Sequence, residues 1–145
     1  MYGVDPNPEM QKKLQNVATL KTTVAQVRSV AAGETVGYSR RGKIEVDSKI
    51  ATVSIGYADG YFRDFGNGNA YMLVNDIPAR TLGSVCMDMC MLNVTDIPEV
   101  KAGDKVTVFG AHLPITELAQ WANTIPYEII TSVSQRVKRI YINES

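Results

Sequence analysis

The pattern of apolar and polar side chains is mostly one of short strands, with helical spacing confined to a few stretches. Between Thr19 and Val30, the residues Leu20, Thr22, Val24, Gln26, Arg28 and Val30 share one parity. That alternation, rich in β-branched side chains, predicts a strand. Ala32-Gly33-Glu34 is a turn, and Thr35 to Tyr38 begins a second strand. Arg40 to Lys43 reads as a basic, solvated loop. Lys49 to Gly56 is a nearly continuous apolar run, hence a strand, and a glycine-rich loop follows it as far as Asn69. Tyr71 to Val74 and Ile77 to Thr81 flank Asn75-Asp76, the signature of a hairpin. Ser84 to Val94 is apolar on both parities and predicts one long strand covered on both faces. Lys105 to Phe109 is a further strand, entered through the turn Ala102-Gly103-Asp104.

Helical spacing is confined to short stretches. Glu9 to Gln15 is compatible with a polar helical turn. The clear helix runs from Thr116, read as its N-cap, to Asn123, with Leu118, Trp121 and Ala122 at helical spacing. Thr124-Ile125-Pro126 ends it, Tyr127 to Ser132 predicts a second short helix, and Arg136 to Ile142 predicts a closing strand. Many short strands divided by Gly, Pro and Asp turns predict a mainly β fold, a small Greek-key-like barrel with one or two short helices. Tyr2-Gly3-Val4 reads like the end of a strand running into the loop Asp5 to Pro8, as if the chain were cut from a longer one.

Composition narrows the function. The 145 residues make one domain, 45% hydrophobic and 21% charged. Fifteen basic and fifteen acidic side chains give a formal net charge of zero, without the basic field that draws nucleic acid. No apolar run approaches the roughly 20 residues that span a bilayer, and the first residues lack the pattern of a signal peptide. Cys86 and Cys90, placed on one strand, would stand about 13 Å apart, too far for a disulfide. Nothing asks for an oxidising compartment, and a cytoplasmic protein is expected.

The residues offer little conventional catalytic chemistry. The single histidine, His112, has neither acidic neighbours at ligand spacing nor a nucleophile partner, so no metal site and no triad is expected. Gly56-Tyr57-Ala58-Asp59-Gly60 follows a strand but fits neither phosphate-binding glycine pattern. It is either a plain β-turn or a small-residue loop that brings backbone and phenol close to a ligand. Of the seven tyrosines, Tyr38, Tyr57, Tyr61 and Tyr127 fall at strand ends or in loops. A phenol titrates at roughly pH 10 and acts as a base only beside cationic partners. Packing is the ordinary use of any one of them.

Four segments, taken in order, resemble the C-terminal domain of alanine racemases. They are VGYS (Val36 to Ser39), ATVSIGYADGYFR (Ala51 to Arg63), LGSVCMDMCMLNVTD (Leu82 to Asp96) and IPYEIITSVSQRVKRIY (Ile125 to Tyr141). The resemblance implies that Tyr38 is the acid/base on one face of the substrate α-carbon, since racemisation needs two groups flanking that carbon. The opposite group would be the lysine that carries pyridoxal 5'-phosphate, in an N-terminal (β/α)₈ barrel absent from this chain. Tyr57 would narrow the access to small amino acids, and Met87 would hold the substrate carboxylate through its backbone. Arg63, Asp88 and Ile125 would line the entrance channel, and the Tyr127 hydroxyl would reach the cofactor phosphate.

The resemblance further implies a head-to-tail homodimer, in which Tyr38, Tyr57 and Met87 serve the partner's barrel and Tyr127 serves its own. Residues 1–17 would be the remnant of the barrel's end and linker, and 18–145 the β-domain, inactive alone, of an enzyme that makes D-alanine for peptidoglycan. Two departures stand out: Ser84 where many members have arginine, and Ser39 where glycine is common. Other readings are a racemase of serine or another small amino acid, a free-standing β-barrel binding module, and a dimerisation domain. The neutral charge and the lack of interleaved basic and aromatic residues speak against single-stranded nucleic acid.

Overall fold

The computed structural model describes residues 4–142. The strand end expected at Tyr2 and Gly3 lies outside them. The strands are β1 (Leu20–Val30), β2 (Thr35–Val36), β3 (Gly42–Lys43), β4 (Ser48–Val53), β5 (Tyr71–Val74), β6 (Ile77–Leu82), β7 (Cys90–Asn93) and β8 (Lys105–Phe109). The α-helices are α1 (Pro8–Gln11), α2 (Ile115–Trp121) and α3 (Pro126–Ser132). Among the described residues, β1, β4, β7, β6, β5 and β8 close in that order into an antiparallel barrel, and β2 and β3 form a small separate ribbon. β5, β6 and β7 follow one another as neighbours and β8 returns beside β5, which is Greek-key connectivity. The mainly β barrel expected from the alternation is the fold observed.

β1 makes the closure. Its first half pairs with β8, from Leu20 opposite Phe109 to Thr23 opposite Lys105. Its second half pairs with β4, from Val24 opposite Val53 to Val30 opposite Ser48. A bulge between Val24 and Gln26 interrupts the single parity expected for this strand. Beyond it, Gln26 and Arg28 are exposed and Val27 leans on the core. The bend lets one strand serve two neighbours without turning charged side chains inward.

Among the described residues, twenty-five buried ones, including Val24, Val53, Phe65, Met72, Leu92, Val106 and Leu113, form the main core. A second cluster, Val30, Val36, Ile44, Ile50 and Met91, lies under the β2–β3 ribbon. α2 seals one side of the barrel through Ile115, Leu118 and Ala119, the i, i+3, i+4 stripe of an amphipathic helix. α3 adds Ile129 to the same core and begins with Pro126, whose missing N–H costs nothing in a first turn.

The structure corrects several boundaries. The turn at the start of the chain is Pro8–Gln11, capped by the Asn7 side chain, rather than Glu9 to Gln15. The second strand stops at Val36, two residues short of Tyr38. α2 begins at Ile115 with Pro114 in the capping position, so Thr116 is not the cap. The strand expected from Ser84 to Val94 is only Cys90–Asn93. Gly83 takes φ +67° and residues 84–89 form a loop, with the Cys86 N–H donating to the Met89 carbonyl at 2.9 Å. Apolar side chains on both parities there reflect exposed methionines, Met87 and Met89, rather than a doubly covered strand. The separation inferred for Cys86 and Cys90 therefore loses its basis; both thiols are free. Finally, residues 136–142 are not a strand. The two arginines of this segment hold loops and backbone carbonyls instead.

Candidate functional site

Tyr38 stands on a backbone forced out of the extended form. Gly37 has φ +79°, and a β-carbon there would lie 2.8 Å from the Met91 side chain. The next three residues, Tyr38–Arg40, form a single 3₁₀ turn in which Ser39 (φ 60°) and Arg40 (φ 53°) take left-handed conformations. Such conformations cost a non-glycine residue about 1 kcal/mol or more each. The turn lifts the Tyr38 ring off the barrel, leaving it 75% exposed.

Tyr57 and Met87 sit on two loops that are laced together. The Tyr57 N–H donates to the Cys86 carbonyl and the Ala58 N–H to the Met87 carbonyl, both at 3.0 Å. Gly56 allows this approach, because a β-carbon would fall 2.2 Å from the Cys86 oxygen. The Asp59 carboxylate closes the 3₁₀ turn Tyr57–Asp59 by accepting from the Gly56 N–H at 2.9 Å. Gly60, at φ +102°, lies against the Ser132 carbonyl and leaves no room for a side chain. Arg136 then joins both loops from the C-terminal segment. Its Nε donates to Asp59 Oδ1 at 2.7 Å and its Nη2 to Asp88 Oδ1 at 2.6 Å. Its hydrogen bonds to Asp59 and then Asp88 hold the guanidinium pKa above its ordinary value.

These elements enclose an open cleft of about 460 Å³ lined by Tyr38, Tyr57, Arg63, Met87 and Asp88, together with Ser84, Val85, Cys86 and Met89. Five of the seven residues proposed from the sequence thus meet around one space, although Tyr38 lies 49 positions from Met87 in the chain. Ile125 and Tyr127 are not among its lining residues; they flank the start of α3, both substantially exposed. Asp88 does line the cleft, but its carboxylate is engaged by Arg136. Tyr61, grouped in the sequence with the other loop tyrosines, is instead buried beside Phe65, their ring centroids 4.6 Å apart. Burial raises its phenol pKa well above the ordinary value, as it does the Cys90 thiol.

Sequence reasoning did not single out Asp59, Arg136 or Arg41 as site residues. Asp59 and Arg136 are 77 positions apart, and only the fold brings them together. Asp59 lay within the quoted glycine loop, and its place three residues after Gly56 was the one local signal of a capped turn. Among the described residues no group of three His, Cys, Asp or Glu side chains could hold a metal ion, and no helix is long and apolar enough to cross a membrane.

The chain matches known proteins over nearly all its length. Residues 17–141 fit the family described as alanine racemase, C-terminal domain. Alanine racemase 1 of Clostridium acetobutylicum is 40% identical over 149 aligned positions, covering 98% of this chain but 38% of that protein. The alanine racemase of Alteromonas mediterranea is 49% identical over 122 positions, covering 84% of this chain and 34% of its own length. Among solved structures, alanine racemase from Bartonella henselae with covalently bound pyridoxal phosphate superposes with a TM-score of 0.92 at 37% identity. The match takes in 97% of this chain and 39% of that one. The chain therefore spans about two fifths of the length of the proteins it resembles.

Proposed function

The chain belongs to the alanine racemase family, matching its C-terminal domain, and from that we propose that it is the C-terminal β-domain, residues 18–145, of an enzyme interconverting L- and D-alanine. Residues 1–17 are the end of a preceding barrel and its linker. The observation that carries the reading is the shared cleft. Tyr38, the more exposed of its two tyrosines, lines it together with Tyr57 and Met87.

The chain's own residues divide the work. The Tyr38 phenol exchanges a proton with one face of the substrate α-carbon, and its hydroxyl oxygen is the atom that holds the proton between turnovers. Tyr57 narrows the space to the size of alanine. The Met87 backbone orients the substrate carboxylate, and Arg63, Asp88 and Ile125 line the entrance. The Gly56–Gly60 and Cys86–Asp88 loops are held in register by backbone hydrogen bonds and by Arg136. That register favours a fixed separation between Tyr57 and Met87, and fixed geometry is what proton transfer requires.

The residues present fit a contributing role toward pyridoxal phosphate. Tyr127, substantially exposed at the first turn of α3, offers a hydroxyl to the cofactor phosphate. In this reading the lysine that carries the cofactor is supplied by an upstream barrel. The chemistry the cofactor supplies when bound is delocalisation of the electron pair left on the α-carbon. Tyr127 lies outside the cleft lined by Tyr38, which agrees with one domain serving two active sites in a head-to-tail homodimer. In this reading the product feeds peptidoglycan synthesis in the cytoplasm, and the domain alone is inactive.

The test is L- to D-alanine conversion with added pyridoxal phosphate, by this chain alone and mixed with the separately expressed barrel. Silence alone and activity on mixing are expected, with Tyr38→Phe lowering the rate by about 10²-fold or more, the usual contribution of a general acid/base. Conversion by the chain alone would show that the cofactor lysine is misplaced. A mixture whose activity survives Tyr38→Phe would remove Tyr38 from the chemistry.

A further inference from the structure

Next to the cleft lies a second cavity, of about 380 Å³, bordered by Arg41, Arg63, Asp64, Gly66, Asn67 and Ser84. The two spaces share Arg63 and Ser84. Three walls of the second cavity are joined at Gly83. The Asn67 N–H donates to the Gly83 carbonyl at 2.7 Å. Gly42, the neighbour of Arg41, packs so closely that a β-carbon would sit 3.1 Å from the Gly83 nitrogen. Ser84 follows directly. Arg63 opens a 3₁₀ turn anchored by the wholly buried Phe65, whose carbonyl accepts from the Thr81 hydroxyl at 2.6 Å. The cavity is therefore built on fixed backbone rather than on loose side chains.

Its chemistry is unbalanced. Among the described residues the Arg41 and Arg63 guanidiniums have no ion pair, although both border one small space. Ser84 is only 7% exposed, and its hydroxyl has no hydrogen-bond partner among the described residues. The two exposed guanidiniums and the Ser84 hydroxyl can therefore all donate to a ligand in this space. Asp64 supplies the one carboxylate at the border, leaving a net charge of +1. We propose that this cavity binds a small molecule through a single carboxylate group, gripped by the Arg41 and Arg63 guanidiniums with the Ser84 hydroxyl as a further donor. Guanidinium forks match the two oxygens of a carboxylate, and the single net charge suits one singly charged carboxylate group better than a dianionic phosphate. Because Arg63 and Ser84 also line the cleft, a carboxylate held here stands at the mouth of the space where Tyr38 meets its substrate. That last placement rests on the racemase reading; the anion site does not.

The carboxylate has two sources, a small amino acid or a simple organic acid, and the experiment separates them. The 145-residue chain is titrated at constant ionic strength with sodium acetate, L-alanine and inorganic phosphate, and the backbone amide resonances of Arg63, Asn67 and Ser84 are followed. Saturable shifts with acetate are expected, weakened about tenfold or more in Arg41→Ala and partly restored in Arg41→Lys, as for loss of one charge-assisted contact. Equal response to acetate and L-alanine means that the carboxylate alone is read, and a stronger response to L-alanine means that the amino acid is the ligand. Shifts that do not saturate, that are unchanged in Arg41→Ala, or that favour phosphate over acetate would overturn the proposal. Arg41 is exposed, so the substitution leaves the fold intact. Failure of the racemase assay would leave these shifts untouched.

Discussion

The tyrosines of the loops show how one residue type serves opposite ends. Tyr38 is lifted into solvent by a left-handed turn, whereas Tyr61 is 1% exposed against Phe65. The Tyr61 hydroxyl is the one buried side-chain polar atom without a hydrogen-bond partner among the described residues. Burying an unpaired hydroxyl costs about 1–3 kcal/mol. Tyr61→Phe removes the hydroxyl and keeps the ring, so unfolding free energy should rise by about 1 kcal/mol, measured by urea denaturation. A drop instead would reveal a bound water satisfying that oxygen. The exposed, ring-bearing positions Tyr38, Tyr57 and Tyr127 were legible as candidates only through the resemblance, because spacing alone treats all four tyrosines alike. Tyr61 shows why: its burial is set by the core it meets, and nothing in its neighbours along the chain distinguishes it from Tyr57.

At the scale of elements, strands that obey alternation were legible, while loops that look like strands were not. β5 and β6 fall where the hairpin pattern placed them, around Asn75-Asp76, both at positive φ. The stretch from Ser84 to Met89 carries the same apolar content as a strand, yet it curls so that its carbonyls can receive the Gly56–Gly60 loop. The C-terminal segment was misread for a related reason. In place of the predicted strand, Arg136 reaches two carboxylates and Arg139 donates to the carbonyls of Val133, Ser134 and Val137. Arg136→Ala should loosen the laced loops without disturbing the barrel. Amide hydrogen exchange at Tyr57 and Ala58 should accelerate by about tenfold, as expected for losing two partly exposed ion pairs, while β4 and β7 keep their protection. Unchanged exchange at Tyr57 would mean that backbone hydrogen bonds alone hold the loops.

For the whole molecule, closure governs. β1 pairs with β8 at one end and β4 at the other, so the barrel has no free edge and its main core is contiguous. Urea unfolding should therefore be a single transition, with the fluorescence of Trp121, packed edge-on against Tyr71, coinciding with loss of backbone dichroism. Separate midpoints would show that α2 comes away before the barrel opens. The sequence by itself determined the β character, most strand positions, the helix pair and the family, because these reside in local periodicity and in contiguous motifs. Only the tertiary structure decided which loops touch. It placed Tyr38, Tyr57 and Met87 around one cleft, joined Arg136 to Asp59 and Asp88, and set Arg41 beside Arg63 and Ser84. Those meetings depend on the bulge in β1, the Greek-key return of β8 and glycines too tightly packed to carry a side chain. Charged partners dozens of residues apart leave no period in a sequence; they find each other when the barrel closes.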